Sequence, residues 1–169
     1  MPQPIFYFSK ISSWDKVTIG LYIILSIFLW HYFGNAANNK IQRDILFGYS
    51  IGTQFFLYFF NYKSLRNLSV YFFWVGIGIL HLFIYLELKD VEMLQNVRGH
   101  SATGLRNTII LLFLFQVLRF VSAKTQGQEL VCPSKGSRTD FFDERRVTIL
   151  DFILFVVYIA TTFLLLFKD

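Results

Sequence analysis

Five long apolar stretches constrain the fold of this 169-residue sequence more than any other feature. They cover residues 17–33, 45–62, 68–86, 105–123 and 147–167, and we number them spans one to five. An α-helix rises about 1.5 Å per residue and the hydrocarbon core of a bilayer is about 30 Å thick, so about 20 apolar residues make one crossing. We therefore predict an all-α fold, a polytopic integral membrane bundle of five transmembrane helices, with residues 1–169 forming a single membrane domain.

The composition agrees with a chain that folds in lipid. Aromatic residues make up 20% of the sequence and charged residues only 16%, whereas about 25% of the residues in soluble domains are charged. Lipid offers the backbone no hydrogen bonds, so only helices and closed β-barrels span it. Barrel strands alternate polar and apolar residues. The unbroken apolar run at 109–115 does not alternate, and we therefore predict helices.

The basic residues are spread over the connecting segments and form no dense stripe, although the net charge is +5. Nucleic-acid-binding proteins concentrate Lys and Arg on one face, so we predict no nucleic-acid partner. The lipid bilayer is the partner that the composition predicts directly. Other membrane protein subunits, or further copies of this chain, are the protein partners that we expect.

The distribution of Lys and Arg also predicts an orientation in the membrane. These residues are more frequent before span one, between spans two and three and between spans four and five than on the opposite side. The largest predicted extramembrane segment, 124–146, lies on this richer side. Cytoplasmic loops are enriched in basic residues, so we predict a cytoplasmic amino terminus and an external carboxyl terminus. A bacterial inner membrane is the default location, and an organelle membrane is the alternative.

Four glycines are candidates for helix packing. Gly48 and Gly52 in span two lie one turn apart, and such a pair of small residues lets another helix approach closely. Gly76 and Gly78 in span three are assigned the same role. We predict that span two lies near the centre of the bundle, because its glycine face and its polar face both require protein neighbours.

Polar side chains recur at helical spacing on spans two, three and five, and they predict a polar interior. A polar group that faces lipid is costly, so these faces are expected to turn toward one another or toward a partner. Interhelical hydrogen bonding is one interpretation, and a polar pathway or binding pocket is the other. The residues concerned are Ser50, Gln54, Tyr58, His81, Tyr158 and Thr162.

A charged pair is predicted between spans four and five. Arg119 lies about four residues from one end of span four, and Asp151 lies at the same depth in the antiparallel span five. Because an unpaired charge in hydrocarbon costs at least about 2.5 kcal/mol, pairing would stabilise both. We predict an Arg119–Asp151 ion pair, or a shared network that includes Gln116. A structural staple is the first interpretation, and a proton or ion relay is the alternative.

The sequence contains few residues that could perform catalysis or bind a cofactor. His31 and His81 lie in the same half of the membrane on parallel spans, so haem ligation between them is a remote option. We identify no metal-ligand spacing, no nucleotide-binding loop and no catalytic motif, so no catalytic or metal-binding residue is predicted. Cys132 is the only cysteine, so no intramolecular disulfide can form.

Three functions are compatible with these features. The first is an accessory, structural or assembly subunit of a larger membrane protein complex, and we favour it. The second is a small transporter or channel, including a homo-oligomeric pore lined by the polar faces of spans two, three and five. The third is a membrane-embedded redox or lipid-modifying enzyme. It has the least support, so we favour a role without catalysis.

Overall fold

The computed structural model of the chain describes residues 7–35, 40–96, 99–134, 139–142 and 145–166. Five long helices account for most of this structure. They are α1 (Ser13–Asn35), α2 (Lys40–Phe55, continued by a π-helix over Phe56–Phe60), α3 (Leu68–Leu88), α4 (Thr103–Gln126) and α5 (Ile149–Leu166). The segment 124–146, predicted as the largest extramembrane segment, includes residues 135–138 and 143–144, which lie outside the described residues.

The connections between the helices differ in length, and the longest, 127–148, joins α4 to α5. Two 3-10 turns lie at Ser64–Arg66 and Glu92–Leu94. A two-stranded antiparallel hairpin, formed by β1 (Gln95–Asn96) and β2 (Gly99–His100), joins α3 to α4. We call the end of the bundle with this hairpin the hairpin end. The opposite end, where α1, α3 and α5 begin, is the capped end.

Four of the five helices are long and apolar enough to cross a membrane, namely α1, α3, α4 and α5. The chain is therefore an integral membrane protein with an all-α fold. Span two, predicted at 45–62, forms a helix but is not among these four. Five crossings consequently stay a prediction.

Helix α2 is the least apolar long helix because its inner face is polar. Gln42, Ser50 and Gln54 are buried along that face. The helix nevertheless runs the length of the bundle. Near its start, Arg43 Nη1 donates to the Gln95 carbonyl oxygen over 3.4 Å at the hairpin end. Its π-helical extension, Phe56–Phe60, ends at the capped end.

The outer surface of the bundle is apolar, as a lipid-exposed surface must be. The exposed fraction reaches 69% for Phe113 and 70% for Leu164, and many other large apolar side chains of the helices are exposed. Buried positions, in contrast, include many polar side chains. In water this arrangement would be unfavourable, because exposed apolar area costs free energy while buried polar groups need partners. In lipid it is the expected arrangement.

Helices α3 and α4 pack closely at Gly78. A Cβ atom at this position would lie 3.3 Å from Leu112 Cδ1 and 3.4 Å from Ile109 Cα. Gly78 thus lies at a close contact between α3 and α4. At the remaining predicted packing glycines, Gly48, Gly52 and Gly76, an added Cβ atom would meet nothing within 4 Å, so they form no close contact within the described chain.

A tighter contact joins α2 to α4 at Gly104, which the sequence did not indicate. A Cβ atom at Gly104 would collide with Ser50 Oγ and would lie 2.8 Å from Ser50 Cβ. Gln54 Nε2 donates to the Gly104 carbonyl oxygen over 2.8 Å. The absence of a side chain at Gly104 therefore lets the polar face of α2 reach the backbone of α4.

Side-chain caps define the starts of three helices at the capped end. Asn67 caps α3, since its Oδ1 accepts from the Ser69 backbone N–H over 3.1 Å. The same Asn67 side chain accepts a hydrogen bond from the Ser9 backbone N–H and donates one to the Ser9 carbonyl oxygen, each over 3.1 Å. These two bonds hold the amino-terminal segment against the start of α3. Caps of α1 and α5 each combine a hydroxyl with a carboxylate three residues later, a capping box.

We predict that Gly104→Ala destabilises the protein by about 1–3 kcal/mol, because the added Cβ collides with Ser50 and overpacked contacts cost about that much. Gly48→Ala is the matched control. Its Cβ meets nothing, so we expect no loss and a gain of about 0.5–1 kcal/mol from the better helix propensity of Ala. The free energy of unfolding in mixed micelles measures both. Equal effects of the two substitutions would contradict the α2–α4 contact.

Candidate functional site

The predicted Arg119–Asp151 ion pair is wrong. Both side chains are fully buried, but each is paired with a different residue. Arg119 binds Glu129 and Asp151 binds Arg145. The hydrogen bonds of Asp151 go to Arg145, Thr148 and Gln126, and none goes to Arg119. The partners of both charges come from the segment between α4 and α5.

Arg119 lies at the centre of a hydrogen-bond network. Its Nε and Nη2 donate to the two carboxylate oxygens of Glu129, each over 2.7 Å. Its Nη1 donates to the Arg66 carbonyl oxygen over 3.0 Å, and Gln116 Oε1 lies 3.5 Å from it. Gln116 is thus beside Arg119, where the sequence placed it, and its Nε2 donates to the Leu65 carbonyl oxygen over 3.0 Å. A bidentate pair of this kind offsets the cost of burying the guanidinium.

Asp151 is held just as tightly at the start of α5. Arg145 donates to its two oxygens over 2.7 Å each. Thr148 completes a capping box, because its backbone N–H and its hydroxyl donate to Asp151 Oδ2 while its Oγ1 accepts from the Asp151 N–H. Gln126 donates to Asp151 Oδ1 over 3.0 Å. The spacing Thr-x-x-Asp in the sequence is the signal that would have predicted this cap.

These two ion pairs fix the connection between α4 and α5 on the end of the bundle. Glu129 and Arg145 both belong to that connection, and their partners belong to the helices. Two further hydrogen bonds hold the same connection against the bundle. Arg66 Nη2 donates to the Leu130 carbonyl oxygen over 2.8 Å, and the Tyr62 hydroxyl donates to Asp140 Oδ2 over 2.5 Å. The described parts of this connection are therefore a packed element of the capped end.

A second polar cluster surrounds the fully buried His81 in the middle of the bundle. His81 Nε2 lies 3.0 Å from both Ser26 Oγ and the Tyr49 hydroxyl. His81 Nδ1 lies 3.2 Å from Thr108 Oγ1. The three hydroxyls come from α1, α2 and α4, so this imidazole on α3 connects four helices. Its geometry is that of interhelical hydrogen bonding.

Haem ligation between His31 and His81 stays an untested option, and it would require a change in the hydrogen bonds of His81. Both ring nitrogens of His81 are within hydrogen-bond distance of hydroxyl groups, whereas His31 is exposed on the outer surface of α1. An iron ligand must offer a free ring nitrogen. A haem between the two histidines would have to displace the hydroxyls that hold His81.

The other residues predicted for a polar interior are also buried. Gln54 reaches α4, as described above, and Thr162 Oγ1 donates to the Tyr158 carbonyl oxygen of its own helix over 2.9 Å. The rings of Tyr58 and Tyr158 stack with their centroids 4.1 Å apart and connect the π-helix to α5. Ser50 Oγ donates to the Phe47 carbonyl oxygen over 3.0 Å.

Two buried polar side chains near the π-helix have atoms without a hydrogen-bond partner in the described chain. These atoms are the Tyr58 hydroxyl and both amide atoms of Asn61. An unsatisfied buried polar group costs about 1–3 kcal/mol. π-helical turns within helices are frequent at functional sites. A water molecule or a polar ligand that bonded to these atoms would remove this cost.

Cys132 lies buried in the connection between α4 and α5. Burial raises the pKa of its thiol to about 12, and the neighbouring Asp140 carboxylate adds to the effect. The thiolate is the reactive form of cysteine, so a buried neutral thiol is inert. The structure consequently gives Cys132 a packing role.

No known protein family, no curated protein and no solved structure matches this chain. The function is therefore inferred from the residues of the chain alone.

Removal of the Glu129 carboxylate tests the Arg119 site. Glu129→Gln leaves the guanidinium buried without a counter-charge, and we expect a loss of about 3 kcal/mol in the free energy of unfolding. The matched control is Asp44→Asn, which breaks the exposed 3.5 Å pair with Arg43 and should cost less than about 1 kcal/mol. Similar losses for both variants would show that Arg119 does not depend on Glu129.

Alkylation of Cys132 tests the packing of the same connection. Because the pKa rises from 9.0 to about 12, the thiolate fraction at pH 8 falls about a thousandfold. We expect iodoacetamide to react very slowly with the folded protein and rapidly after denaturation, as followed by mass spectrometry. A folded protein that reacts as fast as the denatured chain would contradict the burial of this thiol.

Proposed function

We propose that this protein is an accessory or assembly subunit of a larger membrane protein complex. The observation that carries the proposal is the outward position of Gly48 and Gly52 on α2. Both glycines are exposed, and a Cβ at either position would meet no atom within 4 Å. Two small residues one turn apart form a shallow depression on which a transmembrane helix of another chain can pack.

The surface beside these glycines supports the same proposal. A groove of about 430 Å³ lies between α1 and α2, and Gly52 contributes to its floor. Its walls are apolar and aromatic, with Leu21, Leu25 and Phe56 among them. Such a groove matches an apolar helix better than a polar substrate, because it offers few hydrogen-bonding groups.

The interior supports a structural role rather than chemistry. The buried charges Arg119 and Asp151 each have a bidentate partner, and His81 is surrounded by hydroxyls. Buried polar groups with satisfied hydrogen bonds hold helices together and fix one arrangement of the core. A rigid capped end, formed by the pinned connection between α4 and α5, would give a partner a fixed surface.

A small transporter or channel is the second candidate function. It is favoured by the unpartnered Tyr58 hydroxyl and Asn61 amide, which a polar solute or a chain of water molecules would satisfy. The two functions differ in their expected assemblies. A subunit binds a different membrane protein, whereas a pore forms a symmetric oligomer around an aqueous channel.

The proposal extends to the location of the protein. Lys and Arg are enriched in the segments at the capped end, so we propose that this end faces the cytoplasm. An inner membrane of a bacterium is the proposed site. Both points rest on sequence and remain proposals.

Substitution of the two glycines tests the function. In the variant with Gly48→Ile and Gly52→Ile, two branched side chains fill the depression on α2, so a helix partner can no longer approach. We expect the wild-type protein to co-purify with a stoichiometric membrane protein partner in mild detergent, and the double variant to lose it. Native mass spectrometry measures both results.

Ala160→Ile is the matched control, since Ala160 is also an exposed small residue but belongs to α5. This variant should keep the partner, and all three proteins should show the same helix content. A wild-type protein that is monomeric and without partners in its native membrane would refute the proposed role as a subunit. A symmetric oligomer that conducts ions would favour the channel.

A further inference from the structure

The capped end contains a groove with opposite charges and exposed aromatic side chains. Its volume is about 600 Å³. It lies between the amino-terminal segment, the turn that joins α2 to α3, and part of the connection between α4 and α5. We call it the capped-end groove, and it is defined by Lys10, Trp14, Asp15, Phe60, Lys63 and Phe142.

Asp15 in this groove has an unused hydrogen-bond acceptor. The side chain is only 5% exposed. Its Oδ2 accepts from the Ser12 backbone N–H over 3.1 Å and from the Ser12 hydroxyl over 2.6 Å, which forms the capping box of α1. Its Oδ1 is buried and has no hydrogen-bond partner in the described part of the chain.

The equivalent cap of α5 shows which donors bind the second carboxylate oxygen of a capping aspartate. There the second oxygen of Asp151 accepts from Arg145 Nη2 over 2.7 Å and from Gln126 Nε2 over 3.0 Å. The two helices begin at the same end of the bundle with the same Ser/Thr-x-x-Asp spacing. Asp15 Oδ1 therefore fits a cation that carries N–H groups, because a buried carboxylate oxygen is stabilised by a charged donor.

The other polar side chains of the groove fit a phosphate. Lys10 and Lys63 contribute two ammonium groups, and Ser9 and Ser64 contribute hydroxyls to the lining. Lysine binds phosphate as a point charge, and hydroxyl groups add hydrogen bonds. One groove thus offers positive groups for a phosphate together with one negative group for an ammonium.

The aromatic side chains indicate that the ligand is a lipid. Trp14 is 54% exposed and Phe60 is 48% exposed. Trp14 lies in the first turn of the apolar helix α1, and Phe60 ends the π-helix at the same end of the bundle. Trp in particular is enriched at the level of the lipid headgroups. A ligand whose head occupies the polar part of the groove would place its acyl chains against these rings and the apolar outer surface.

We propose that the capped-end groove binds a phospholipid whose headgroup carries a phosphate and a primary ammonium, as in phosphatidylethanolamine. The phosphate lies near Lys10 and Lys63, and the ammonium donates a hydrogen bond to Asp15 Oδ1. The proposal concerns a lipid site at the capped end and does not depend on the protein partner inferred from α2.

Three phospholipids with identical acyl chains separate the contributions of the headgroup. Phosphatidylethanolamine has an ammonium with N–H groups, phosphatidylcholine has a quaternary ammonium without them, and phosphatidylglycerol has none. Native mass spectrometry of the full-length protein, titrated with each lipid, gives the affinities. We expect phosphatidylethanolamine to bind about tenfold more tightly than the other two, the difference that a single charge-assisted hydrogen bond makes. Equal binding of the three lipids would overturn the proposal.

Two variants test which side chain binds the ammonium and which binds the phosphate. Asp15→Asn should abolish the preference for phosphatidylethanolamine over phosphatidylcholine and leave some binding of both. Lys10→Gln should weaken both lipids alike, since Lys10 is exposed and is assigned to the phosphate. Asp44→Asn, at an exposed acid outside the groove, should change neither affinity. A preference that persists in Asp15→Asn would overturn the assignment of the ammonium.

Soluble phosphoethanolamine tests whether the acyl chains matter. We expect it to displace the lipid only at a large excess, because it lacks the apolar contacts with Trp14 and Phe60. Displacement at concentrations equal to that of the lipid would mean that the groove binds a soluble phosphate ester, and the lipid assignment would fail. Unchanged helix content in every variant excludes misfolding as the cause of a lost affinity.

Discussion

The pairing of buried charges is the constraint on which the capped end of this protein depends. Arg119 and Asp151 are fully buried in helices, and neither can be left in a low-dielectric interior without a counter-charge. Glu129 and Arg145 supply these counter-charges from the connection between α4 and α5. The connection is consequently drawn onto the bundle, and it covers the buried thiol of Cys132. Electrostatics thus gives order to a segment that has little regular secondary structure.

The same requirement for partners explains much of the interior. Polar side chains are turned inward and bind across helices at His81 and at Gly104, while the apolar side chains face outward. Two features that remain without partners in the described chain are then informative. The depression at Gly48 and Gly52 fits a helix, and the unused oxygen of Asp15 fits an ammonium group. These two features carry the proposed subunit role and the proposed lipid site.

Much of the fold could be predicted from the sequence, because helix length and apolar composition in lipid are local properties. The structure confirms four apolar helices of spanning length and a buried position for Arg119 and Asp151. The partners of these charges could not be predicted from helix depth, since Glu129 and Arg145 lie outside the helices. Gly104 was missed because its close contact with Ser50 depends on tertiary packing and on no repeated motif. The Thr148-x-x-Asp151 cap was visible in the sequence as a spacing.

The most direct test of an integral membrane bundle is to measure on which side of the membrane each end of the bundle lies. Single cysteines are placed at Lys16, Lys40, Lys89 and Lys124 in a Cys132→Ala background, and sealed vesicles are labelled with a membrane-impermeant maleimide. The account predicts that the sites at Lys16 and Lys124, at the capped end, are labelled from one side of the membrane. It predicts that the sites at Lys40 and Lys89, at the hairpin end, are labelled only from the other. Labelling of all four sites from the same side would contradict the account.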